Sequence, residues 1–198
     1  MNPLRGMQTL LACVVYGAGM TGAPAAGANE AAWQKLAAGG MVVLMRHGAV
    51  RSGPGQGNSL LRDPTCKRER KLSAEGEAQA RRIGEAFRAR NIPVAAVRHS
   101  PYCRTADTAR LAFAGGAPAD YLSLPENLDA AAAAAQPRAL AAVVGSHAGT
   151  GNLILVTHEP NINAVSFEPM RHADFLVLQP LGGSDFEEVG VVQWDALD

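Results

Sequence analysis

Charge of one sign is what this chain has least of. Its 18 lysines and arginines balance 18 aspartates and glutamates, for a formal net charge of zero. A balanced chain carries no electrostatic footprint for nucleic acid or an anionic membrane surface, so any anion it recognises must be recognised locally. Cysteine is scarce, with three in 198 residues, and no histidine–cysteine spacing suggests a zinc site. No internal repeat is visible. The one glycine-rich stretch, "GPGQGN" at Gly53 to Asn58, lacks the Lys-Ser/Thr of a P-loop. It also ends on Asn58 where a dinucleotide fingerprint needs glycine, so it reads as a flexible loop. No cofactor is implied.

What is present divides at residue 28. Before it, Arg5 is the only charge, Met7 to Met20 is apolar, and Ala26-Gly27-Ala28 fits a small-x-small cleavage pattern. Residues 1–28 are expected to be a secretory signal peptide, too short and too glycine-rich for a comfortable membrane span. An uncleaved anchor is the alternative. "LLAC" at Leu10 to Cys13 hints at lipoprotein processing, but the apolar run continues past Cys13, which argues against an anchored lipid. Residues 29–198 are then one exported domain with no membrane span, periplasmic or secreted. Without Arg5 the balance becomes −1. Two cysteines remain, Cys66 and Cys103. In an oxidising compartment one disulfide is expected from them, against the alternative of two unrelated thiols.

Helical and strand patterns alternate through that domain. "NEAAWQKLAAGG" (Asn29 to Gly40) reads as a helix stopped by two glycines. "MVVLMR" is a strand apolar enough to be covered on both faces. Residues 49–71 form a long loop. Ser73 caps a helix to Arg90 whose apolar face carries Ala80, Ile83, Ala86 and Phe87. "VAAV" (Val94 to Val97) is the next strand and residues 101–113 the next helix. A short strand is expected at Tyr121 to Leu124 and a helix near Arg138 to Val144. "NLILVTH" (Asn152 to His158) is a buried strand, and the C-terminal part reads as a hairpin. The alanine run Ala130 to Ala135 reads as a solvated helical turn. The alternation predicts an α/β fold, a three-layer α/β/α sandwich around a mostly parallel sheet.

In such sheets ligands collect beyond the carboxyl ends of strands. Arg46-His47-Gly48 follows the first strand, His99-Ser100 leads to Arg104 after the second, and Thr157-His158-Glu159 follows "NLILVT". Two arginines and two histidines should therefore meet on one edge. Arginine grips phosphate oxygens with planar, permanently charged donors. A fixed histidine can serve as nucleophile, a second can stabilise the transferring phosphoryl group, and a carboxylic acid must protonate the leaving oxygen. His99 is assigned to solvent or core, and His147 and His172 to the surface. "KRERK" (Lys67 to Lys71) reads as a solvated charge run, with guidance of phosphorylated substrates as the sharper alternative.

Together "LMRHG", "LSAEGEAQARRIG", "SPYCRTADTA" and "LVTHEPNI", in that order, resemble the histidine phosphatase superfamily, the phosphoglycerate mutase-like group. The resemblance runs from about Val42 to Ile162. It implies a phosphoglycerate mutase-like fold, His47 as the phosphorylated nucleophile, a phosphate pocket of Arg46, His47, Arg104 and His158, and no metal. The proton donor of the mutase-like branch would fall on Glu126, in "SLPENLD", and that of the phytase-like branch on Glu159. Glu126 is favoured. The family's mutases carry a still longer loop with a wide polar contact set after Arg46-His47-Gly48, which argues against mutase activity here, and no long insertion between Arg104 and His158 provides a capping domain, so an open pocket is expected. The signal segment and the paired cysteines resemble exported bacterial members, including those acting on lipopolysaccharide-core phosphates. The expected function is hydrolysis of phosphate monoesters, on a small-molecule or envelope-linked substrate. A protein phosphohistidine phosphatase and a non-catalytic phospho-ligand-binding envelope module are the alternatives.

Overall fold

A computed structural model describes residues 25–197 of the chain. The expected signal segment falls outside the described residues apart from 25–28, which belong to the first helix. The elements run α1 (Ala25–Ala38), β1 (Val42–Arg46), α2 (Ala74–Ala89), β2 (Val94–His99), α3 (Cys103–Phe113), β3 (Ala117–Pro118), α4 (Ala130–Gly145), β4 (Asn152–Thr157), α5 (Glu159–Asn163), β5 (Phe175–Gly182) and β6 (Asp185–Val192). Six strands form one sheet in the order β3-β2-β4-β1-β5-β6. β1 and β2 both pair parallel to β4, and β2 parallel to β3. The β5–β6 hairpin adds antiparallel to β1. The sheet is thus mostly parallel with an antiparallel edge, as the sequence pattern predicts.

Alternation along β1 explains the layers. Val43 and Met45 face a core with Trp33 and Leu36 of α1, Ile83 and Phe87 of α2, and Ala109 of α3. Val42 and Leu44 face the opposite core with Leu140 and Val144 of α4 and Ile162 of α5. All four β1 residues are fully buried, which a strand covered on both faces requires. Edge-on aromatic contacts consolidate the first core, Trp33 against Phe87 at 5.4 Å and Phe87 against Phe113 at 5.2 Å. Among the described residues no helix is long and apolar enough to cross a membrane.

Two local expectations are corrected. Tyr121 to Leu124 is not a strand; a short 3-10 turn spans Asp120–Leu122 and another Pro125–Asn127. The small strand next to β2 lies earlier, at Ala117–Pro118. The alanine run is not an isolated turn but the first half of α4, capped by Asp129, whose side chain accepts from Ala132 N at 2.8 Å. Alanine's high helix propensity carries the helix across Pro137.

The loop after β1 is fixed by α2. Ser73 caps that helix, accepting from Gly76 N at 3.1 Å and donating to Ala49 O at 3.2 Å. Gln79 accepts from Ala49 N at 2.8 Å. A Cβ on Gly76 would stand 2.0 Å from Ala49 O, and one on Gly48 would stand 2.5 Å from Gly76 O. Both glycines are therefore required for the helix to lie against the turn that carries Arg46 and His47. Gly76→Ala is expected to destabilise the fold by about 1–3 kcal/mol, since the clashing atoms are backbone. Thermal melting checks this, and an unchanged midpoint would show that the turn yields freely.

Candidate active site

β1 and β4 are neighbours in parallel register, with Arg46 opposite Thr157. The residues that follow them, His47 and His158, therefore leave the sheet side by side, their ring centroids 5.3 Å apart. Arg104 enters from the second position of α3. Its Nε donates to His47 Nε2 at 3.2 Å, and its Nη2 lies 3.2 Å from His158 Nδ1. His47 Nδ1 lies 2.8 Å from the Gly48 carbonyl, and His158 Nε2 lies 2.8 Å from Ser100 Oγ. A guanidinium only donates, so the nitrogens facing it are lone pairs. Each imidazole is then a neutral tautomer, with His47 presenting Nε2.

These groups are nearly closed off. His47 is 7% exposed, Arg104 3% and His158 2%. Tyr102 covers Arg104 face-on at 4.6 Å and meets His158 edge-on at 5.0 Å. Burial, then the charge of Arg104, holds both histidines well below the ordinary histidine value. Burial also lowers Arg104, to about 10, which still leaves a cation at neutral pH. Buried donors are left over. Arg104 Nη1 and Arg46 Nε have no hydrogen-bond partner among the described residues. Such N–H groups are costly to strand and call for an acceptor.

The other sequence motifs hold this arrangement. Thr108 Oγ1 accepts from Gly48 N at 3.1 Å and donates to Arg104 O at 2.7 Å, tying the turn after β1 to α3. Thr105 Oγ1 donates to Ser100 O at 2.6 Å. Cys103, the first residue of α3, is disulfide-bonded to Cys66 of the long loop, as expected from the cysteine count. Beside that bond Glu69 accepts from Cys103 N and Asp63 N, each at 2.8 Å. Glu69 is 2% exposed, so "KRERK" is not a uniformly solvated run; its central acid clasps α3, half-buried Arg70 donates to Gly57 O, and Lys67, Arg68 and Lys71 are exposed.

The carboxylates divide. Glu159 pairs with Arg46 Nη2 at 2.9 Å, while Arg46 Nη1 donates to Met170 O at 2.6 Å. Glu126 is exposed on the turn Pro125–Asn127, whose Asn127 donates to the Tyr102 hydroxyl and to Leu60 O. His99 is buried and bonded through Nδ1 to Ser100 O at 2.8 Å, a core residue. His172 departs from expectation. It is half-buried rather than on the surface, with its ring 5.4 Å from that of His47 and Nε2 3.4 Å from Arg46 Nη2. Nothing in the spacing around His172 signals this, because its place is set by the pairing of β5 with β1.

Residues 42–123 match the family model of the histidine phosphatase superfamily (branch 1). Solved structures share the fold. One of the protein histidine phosphatase SixA, complexed with tungstate, is 15% identical, with TM-score 0.56 over 80% of this chain and 99% of that one. YhfR of Bacillus stearothermophilus is 15% identical, with TM-score 0.54 over 75% and 94%. A phosphoserine phosphatase of Entamoeba histolytica, in complex with 3-phosphoglyceric acid, is 12% identical, with TM-score 0.54 over 79% and 98%. At these identities the likeness is one of fold. No curated protein matches the chain.

The two neutral imidazoles set a pH dependence. Each has a folded-state pKa below its unfolded value, so the unfolded chain binds protons first as pH falls. Stability should be intact above about pH 6.5 and decline below it, by up to about 1.4 kcal/mol per pH unit for each histidine. Urea unfolding across that range checks the sign, and replacing both histidines by asparagine should flatten the profile.

Proposed function

Because the chain belongs to the histidine phosphatase superfamily, we propose that it hydrolyses phosphate monoesters through a phosphohistidine formed on His47, without a metal ion. The observation that carries this reading is Arg104, a buried cation that touches the lone pair of His47 and keeps one N–H without a partner. A phosphoryl group supplies what that cluster lacks: negative oxygens for the donors and an electrophile for Nε2.

In this reading phosphate oxygens take the free N–H groups of Arg104 and Arg46, with His158 beside them. Nε2 of His47 attacks phosphorus, and the bond from phosphorus to the leaving oxygen breaks as the nitrogen–phosphorus bond forms. The Gly48 carbonyl holds the proton on Nδ1 and keeps the ring oriented. Glu126 gives its proton to the leaving oxygen. The same carboxylate then removes a proton from water as that water attacks phosphorus, the nitrogen–phosphorus bond breaks, and inorganic phosphate is released. Support for Glu126 comes from its turn, which Asn127 ties to the Tyr102 hydroxyl, whose ring meets His158. Glu159, engaged with Arg46, serves as counter-ion in this scheme. A phosphorylated small-molecule or envelope-linked substrate, met in the periplasm or cell envelope, fits the disulfide, a bond that persists in oxidising compartments.

His47→Ala should abolish turnover of p-nitrophenyl phosphate in a protein that still folds. Rapid quenching of the unaltered enzyme should trap a label that is stable in alkali and lost in acid. Residual turnover in the variant, or an acid-stable label, would overturn the mechanism. Glu126→Gln should slow an alkyl phosphate by about 10²–10⁴-fold and an activated aryl phosphate far less, because only the poor leaving group needs the proton. Equal losses on both substrates would remove Glu126 from that role.

A further inference from the structure

His172 reaches the site through the backbone. The last β1–β5 pair is Met45 with Phe175, yet the ladder continues: Arg46 N donates to Asp174 O and Ala173 N to His47 O, each at 3.1 Å. These bonds pin the residue preceding Ala173 beside the proposed nucleophile. The loop is anchored from its far side as well, since Asp174 accepts from Arg171 Nε at 3.1 Å and from Trp194 N at 3.0 Å. The backbone around His172 is therefore fixed from both sides.

We propose that His172 is a further phosphate-contacting side chain, which takes up a proton as the oxyanion binds and returns it to solvent as the anion leaves. The proposal rests on the phosphate-pocket reading given above. The ring lies within reach of the same space as its neighbours, 5.4 Å from the His47 ring and with Nε2 3.4 Å from Arg46 Nη2. In that contact the arginine N–H points at a lone pair, so Nε2 carries no proton and the ring is neutral. The charged and titratable groups facing it are Arg46 and His47 after β1, Arg104 of α3, Glu159 of α5 and Glu75 of α2. Burial first, and then the charge of Arg46, hold the ring below its ordinary value against the opposing pull of Glu159 and Glu75. A dianion entering the cluster reverses that balance. It takes the N–H groups of Arg46 and Arg104, and Nε2 of His172 gains a proton and becomes a donor to a phosphate oxygen.

Sulfate is the probe, because its charge is constant through the neutral range. Calorimetric titration of the full chain should show affinity rising from about pH 8 to about pH 6, by at most tenfold per pH unit for one proton taken up. His172→Gln should bind about 10- to 100-fold more weakly at the acid end, through loss of one charge-assisted hydrogen bond, and His172→Ala should be weaker throughout. In both variants the pH dependence should shrink. Should either variant fail to fold, the ring-proton resonance of His172 in the unaltered protein provides the same reading, since its titration should move to higher pH when sulfate is added. Wild-type affinity and pH profile in both variants, or a resonance indifferent to sulfate, would overturn the role of His172. An acid-labile label on His47 in the same protein would show that the hydrolytic reading survives that result, whereas failure of the unaltered protein to bind sulfate would count against both.

Discussion

A guanidinium buried between two uncharged imidazoles is the constraint around which the molecule is built. Removing an arginine from water costs several kcal/mol even after relaxation, and neutral partners return only part of it. Among the described residues no carboxylate forms an ion pair with Arg104. What it has is the face of Tyr102, two lone pairs, and the field of Glu69 at the N-terminal end of α3. Glu69 in turn is fixed by two backbone N–H groups, and the Cys66–Cys103 bond closes the loop that carries it. The long segment between β1 and α2 is thus the support that keeps a desolvated cation in place. With its support built into the fold, the cation needs little rearrangement when charge develops beside it, which is the condition for strong electrostatic stabilisation of a transition state.

The same logic runs through the sequence motifs, most of whose residues touch each other rather than the space where a substrate would sit. Ser73, Gly76 and Gln79 hold Ala49. Thr105 and Thr108 brace α3 against Ser100 and Gly48. Ser100 orients His158. Each is a side chain of modest size whose hydrogen bond fixes one reactive group to a rigid element. A misplacement of about 1 Å at such a group costs about as much as losing a contact outright.

Much of this was legible in the chain because parallel sheets collect polar residues at one edge. Apolar runs ending in Arg46-His47 and Thr157-His158 announce two such edges, and adjacent parallel strands bring them together whatever the loops do. The family model's match over 42–123 takes in the first of these runs and the helix that carries Arg104, but not the second run. What was not legible arises elsewhere. His172 sits in a loop without periodicity, and only the continuation of the antiparallel β1–β5 ladder carries it to His47. Glu69 lies in a run of basic residues whose composition reads as solvent-facing, and its burial depends on Cys103 arriving from a distant helix. The helix expected near Arg138 begins earlier, because six alanines and a capping Asp129 nucleate α4 about two turns before it. Each miss is a long-range pairing or a local sum that no single-residue signal contains.

Glu159 illustrates how the site balances charge. Two arginines without acids would repel each other and depress each other's hydration. A carboxylate on the first residue of α5 relieves this at Arg46, 2.9 Å away, while its own side chain remains 44% exposed. Exposed ion pairs of that kind contribute only about 0–1 kcal/mol. Weakness is the useful property here. The pair neutralises Arg46, and in the proposed mechanism a phosphate, offering two oxygens in a drier position, displaces Glu159 at small cost. Arg104, by contrast, has no such exchangeable partner among the described residues. The two arginines are therefore unequal, one kept ready by a loose counter-ion and the other by the fold itself.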